Sequence, residues 1–146
     1  MEHKTLKFFI TILLFVFIVL LFLNFFLTQR ISFDCAVVEK IIAWDSNSSK
    51  RNIINDVNSV EEIVCDIQKM YLLRTSTNTF YESPNKSIDL LLSDGSSYSI
   101  EINGNILRVT KVRYDSEKGI EIIEKGKFYT IISSQFDDIF DNIMAK

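Results

Sequence analysis

The feature that most constrains this chain is residues 8–27, FFITILLFVFIVLLFLNFFL. Only Thr11 and Asn24 in this run are polar, and none of it is charged. As a helix rising about 1.5 Å per residue it would reach about 30 Å, the hydrocarbon thickness of a bilayer. A helix that is apolar on every side has no face to offer to water. The expectation is an N-terminal transmembrane helix over 8–28, preceded by a cytoplasmic tail, 1–7, with the lipid bilayer as partner through residues 8–27.

A cleaved signal would carry an apolar core of about 7–15 residues followed by small residues. Here the run is longer and leaves through Leu27, Thr28, Gln29 and Arg30, so an uncleaved signal-anchor is expected. Lys4 and Lys7 precede the run and Arg30 follows it. This asymmetry favours a cytoplasmic N-terminus. The expected location is the plasma membrane, crossed once, with the C-terminal domain extracytoplasmic. Asn24 either reaches interfacial water or bonds a partner helix, the latter worth about 0.6–2 kcal/mol. No small-xxx-small pattern accompanies it, so tight helix pairing has no support.

The rest of the chain is acidic. The totals are 16 Lys and Arg against 19 Asp and Glu. Setting aside Lys4, Lys7, Arg30 and Glu2 leaves 13 against 18 over residues 31–146, a net of −5. Phosphate backbones need a basic face, so nucleic acid is not an expected partner. The acidic balance also argues against docking of the domain on anionic lipid.

A short stalk, 29–36, is expected to lead into an extracytoplasmic domain, 37–146. VVEKIIAW (37–44) and RNIIN (51–55) read as strands on either side of DSNSSK, whose Asp, Ser and Asn bond their own backbone in turns. Ser59 with Glu62 makes a capping box. Val60, Ile63, Val64, Ile67 and Met70 then recur at helical spacing, predicting a helix at about 59–72. The stretch 75–85 is polar and holds the only Pro, with a short edge strand at 79–82. From Ile88 the period becomes two. Asp94-Gly95 marks a tight hairpin, and strands follow at 106–114, 120–124 and 127–132. Ser133 and Ser134 are N-cap candidates for a last helix at about 135–145, with Asp137 and Asp138 in its first turn. The expected fold is α+β: the transmembrane helix, then a β-β-α-β-meander-α domain on an antiparallel sheet.

Catalytic chemistry finds little to work with. The single His, His3, lies in the N-terminal tail, which removes Ser-His-Asp and Cys-His catalysis from the domain. Imidazole-based zinc chemistry goes with it. Asp137, Asp138 and Asp141 lack the spacing of a calcium loop, and no Gly-rich phosphate loop is present. The chain is not expected to be an enzyme or to hold a cofactor or metal. Cys35 and Cys65 are a candidate disulfide, which would close a loop of about 30 residues for roughly 3–4 kcal/mol; the alternative is two thiols acting as small hydrophobes. Trp44 reads as core or rim packing. Phe80 and Tyr81, in the polar stretch, are candidate partner contacts along with Asn24.

The stretches VEKIIAWD, IINDVNSVEEIVCDI, IDLLLSDGSSYSIEI and GKFYTIISSQFDDIFDNI resemble small extracytoplasmic domains of Gram-positive bacterial membrane proteins and lipoproteins, the YhfM-like and related domains of unknown function. The resemblance spans 37–146. It implies envelope attachment and no assigned reaction, and no functional residue carries over. The functional expectation is a single-pass membrane-anchored binding or accessory module, recognising an envelope protein non-covalently through a strand edge or the 75–85 loop. The alternative is a small structural subunit of a membrane complex, with the first helix as its contact element.

Overall fold

The structure is a computed structural model of the chain. It describes residues 2–33, 37–75, 77, 79–80, 82–117 and 119–146, with the side chains of 2–6 and 23–28 outside the description. Helix α1 (Glu2–Leu27) comes first, followed by the two-residue β1 (Thr28–Gln29), β2 (Val38–Asp45) and β3 (Lys50–Ile54). Helix α2 (Val57–Lys69) and the short β4 (Leu72–Arg74) precede a meander of β5 (Lys86–Leu92), β6 (Ser96–Asn103), β7 (Ile106–Asp115) and β8 (Gly119–Ile131). Helix α3 (Gln135–Ala145) closes the chain.

The strands form one antiparallel sheet in the order β1-β4-β8-β7-β6-β5-β2-β3. Period-two alternation puts Ile88 and Leu90 of β5, Ile100 and Ile102 of β6, and Leu107 of β7 on one buried face. Helices α2 and α3 cover that face through Val60, Ile63, Val64 and Ile67 on one and Phe136, Phe140 and Ile143 on the other. The β5–β6 turn contains Asp94 and Gly95, whose φ of 78° is left-handed and suits Gly. The Asp94 carboxylate accepts from Ser96 N at 2.9 Å and from Ser96 Oγ at 2.5 Å.

The expected transmembrane helix requires correction. Among the described residues no helix is long and apolar enough to cross a membrane. The fold is therefore an antiparallel sheet with three helices, without a transmembrane assignment. What α1 does show is an exposed apolar surface, with Phe8, Phe9, Leu13 and Phe15 all more than half exposed.

Smaller expectations shift as well. Helix α2 begins at Val57, not at Ser59, because Asp56 caps it by accepting from Ser59 N at 2.9 Å. Ser59 thus lies inside the first turn, and the box with Glu62 is not the capping device. Met70 leaves the helix with ψ 137°, so Leu72 joins a strand where the helix was expected to continue. Thr79 and Phe80 are not in a strand; the strand in this region is β4, which lies between β1 and β8. Residues 29–33, expected as part of a stalk, pack onto the domain: Ile31 and Phe33 are 6% and 7% exposed. Gln68 Nε2 also donates to the Phe33 carbonyl.

Candidate functional site

Three rows of side chains cross the helix-facing side of the sheet. Ile41, Leu90, Tyr98, Lys111 and Glu124 form one by successive register pairs. Ala43, Ile88, Ile100, Val109 and Lys127 form the next. Ile102, Leu107, Tyr129 and Arg74 form the third. Each row is apolar where α2 and α3 cover it and turns polar toward β8. Beyond the helices the same face continues as the floor of a cleft of about 640 Å³. Tyr98, Val109 and Tyr129 supply its apolar floor, Gln29–Ser32 one wall, and Arg74, Thr75 and Thr77 another.

The cleft is basic. Among the described residues, Arg30, Arg74, Lys111, Lys125 and Lys127 line it against one carboxylate, Glu124. That concentration runs against the acidic balance of the domain as a whole. The Arg30 guanidinium stacks 5.4 Å from the Tyr71 ring centre, and Lys111 Nζ lies 5.2 Å from that of Tyr98. Burial of Tyr129 raises its phenol above the ordinary value, keeping it neutral.

One wall of the cleft is also a strand edge that is free among the described residues. β8 is 13 residues long. It pairs with β7 along its length, but with β4 only through Tyr129–Ile131. Among the described residues no strand pairs with its other edge from Gly119 to Phe128. Unpaired edge N–H and C=O groups are a template for another strand. The free edge carries Glu124–Phe128, which line the cleft, and ends in the exposed Ile120, Ile122 and Ile123.

β7 and β8 are irregularly registered near Val109–Val112. Gly126 sits there with no room for a side chain. A Cβ would lie 2.9 Å from Thr110 Oγ1 and 3.1 Å from Arg108 Cδ. On the opposite face a second hollow of about 470 Å³ lies between Phe128, Arg108, Ile120 and Ile122.

The residues singled out from the sequence lie apart from this cleft. Phe80 is half-buried, its ring 5.5 Å from that of Phe128 and 5.0 Å from the Arg108 guanidinium. It packs on the reverse face of the sheet. Tyr81 and Cys35 fall outside the described residues, as does the side chain of Asn24. Cys65 is exposed on α2. Trp44, expected to pack in core or rim, is 44% exposed. Asp137 pairs with Lys86 at 2.5 Å, and Asp138 accepts from Ser134 Oγ at 3.1 Å. No group of three or more His, Cys, Asp or Glu among the described residues is arranged to hold a metal.

Sequence reasoning missed the cleft cations. Their signal was Lys111 and Lys127 at inward positions of period-two strands, where a core residue is expected.

No family model matches the chain, and no curated protein matches it. Among solved structures it is similar to one described as "Crystal Structure of Putative Lipoprotein from Clostridium perfringens". The identity is 19%, covering 73% of this chain and 84% of that chain, with a TM-score of 0.49.

Proposed function

We propose that this protein is a non-covalent binding module that receives an extended segment of a partner protein along the unpaired edge of β8. The observation that supports it is the edge from Gly119 to Phe128, with which no strand pairs among the described residues, set beside a cleft of a size that accepts side chains. Strand addition of this kind takes affinity from main-chain hydrogen bonds and specificity from pockets for alternate side chains. The exposed apolar side chains of α1, Phe8 to Phe22, attach the module to a lipid surface.

A second reading makes α1 the contact element of a larger membrane assembly; the same exposed side chains favour it. A photoreactive residue placed at Ile123 or at Phe15 in the full chain separates the two. Adducts from Ile123 that map to one extended peptide of a partner support strand addition. Protein adducts from Phe15 alone support the assembly reading.

A further inference from the structure

We propose that the occupant of the cleft is an acidic extended peptide, its backbone paired with the outer edge of β8 and its carboxylates directed at Arg30, Arg74, Lys111, Lys125 and Lys127. This inference rests on the strand-addition reading and names the partner's chemistry.

Three observations carry it. First, among the described residues the cleft sets these five cations against Glu124 alone, although the chain has more acidic than basic residues. Like charges held in one cleft repel until a negative group enters, so the site is complementary to an anion. Second, Lys111 and Lys127 are register neighbours of Tyr98 and Val109. The cations therefore stand on the same face as an apolar floor, and a ligand needs both carboxylates and apolar side chains. Third, the cleft wall from Glu124 to Phe128 belongs to the unpaired strand edge. A peptide backbone offers N–H and C=O groups that repeat at the spacing of that edge, whereas a single phosphate or lipid headgroup does not.

Successive side chains of a strand alternate between faces. A bound peptide with Glu or Asp at every second position would turn one row of carboxylates toward the cleft and leave the intervening residues on the face of Ile120 and Ile122.

The test uses the full chain in detergent micelles and fluorescent peptides of about ten residues, enough to cover the free edge. Four probes are compared: alternating Glu and Val, the same peptide with Gln for Glu, and two Glu peptides N-methylated at one or the other alternate set of residues. The expected result is that the Glu peptide binds at least tenfold more tightly than the Gln peptide. The preference should fall steeply between 50 mM and 500 mM salt, and one N-methylated form should lose binding. The double variant Lys111→Glu with Lys127→Glu should lose the preference for Glu over Gln.

Equal binding of Glu and Gln peptides overturns the acidic assignment while leaving strand addition standing. Equal binding of the Glu peptide and both N-methylated forms overturns strand addition while leaving the anion preference. Displacement of the Glu peptide by millimolar inorganic phosphate, or by vesicles of anionic lipid and not of neutral lipid, overturns the peptide as occupant and assigns the cleft to phosphate or to a headgroup respectively. No binding by any peptide overturns both readings.

Discussion

Phe33, six residues beyond the end of α1, stacks against Tyr98 of β6 with ring centres 5.4 Å apart and planes inclined by 30°. Tyr98 belongs to the cleft floor, so the segment leaving α1 is tied directly to the candidate site. A chain entering the domain through such a contact cannot move freely relative to the cleft. Arg30 is thereby held at the cleft rim beside Tyr71.

Removing the Phe33 ring should therefore be felt both in stability and at the site. Phe33→Ala empties a site that is 7% exposed and should cost about 3 kcal/mol. Urea unfolding of the full chain in detergent checks the magnitude. Faster amide exchange over 29–33 should accompany it, because the ring is, with Ile31, one of the two buried apolar anchors of that segment.

Gly126→Ala should destabilise through crowding. The new methyl would meet Thr110 Oγ1 at 2.9 Å on a stiff β-branched side chain that is 8% exposed. Overpacking of this kind costs about 1–3 kcal/mol. Since Arg108 can move aside, the lower end is expected by thermal melting. An unchanged melting temperature would show that Thr110 rotates away without cost.

Arg108 forms an ion pair with Glu101 and lies over both Phe80 and Phe128, at 5.0 and 5.9 Å from their ring centres. Arg108→Met keeps most of the volume but removes the charge. About 1–2 kcal/mol should be lost, since a partly desolvated cation over aromatic rings contributes roughly that much. Hydrogen exchange around Phe80 should rise more than exchange at β2, which would separate a local effect from general unfolding.

Asp89 has its carboxyl raised above 3.8, because burial outweighs the Ser99 hydrogen bond and the attraction of Arg51. A raised folded-state value favours the folded chain below pH 3.8, and that contribution is lost as pH rises through the folded value. Asp89→Asn keeps an acceptor for Ser99 Oγ, which donates at 2.6 Å, and removes the titration. Its melting temperature should equal that of the parent near pH 3 and exceed it at pH 7. A lower melting temperature at pH 7 would mean that the Arg51 attraction dominates.

Asp94 behaves in the opposite sense. Its hydrogen bonds from the Ser96 hydroxyl and N–H hold its carboxyl below 3.8. A depressed folded-state value contributes stability above pH 3.8 that disappears as pH falls through the folded value. Asp94→Ala should lower the melting temperature at pH 7, also leaving the buried Ser96 hydroxyl, in a residue 1% exposed, without that acceptor. The gap between parent and variant should narrow as pH falls below 3.8.

Local signals were enough for the elements whose own residues decide them. The alternation of Ile88, Leu90 and Leu92, the turn at Asp94 and Gly95, and the stripe of Val60, Ile63, Val64 and Ile67 each specify their element through short-range geometry. The run 8–27 likewise showed that α1 would be a helix with no polar face. Other features depend on contacts distant in sequence. Pairing of β2 with β5 joins the first hairpin to the meander, and nothing within either strand names its partner. β4 exists because Leu72–Arg74 meets Tyr129–Ile131, which overrides the helical spacing leading up to it. The cleft is the clearest case. Arg74, Lys111 and Lys127 are far apart along an acidic chain, and only strand register brings them onto one face, where α2 and α3 end and, among the described residues, the edge of β8 from Gly119 to Phe128 is unpaired.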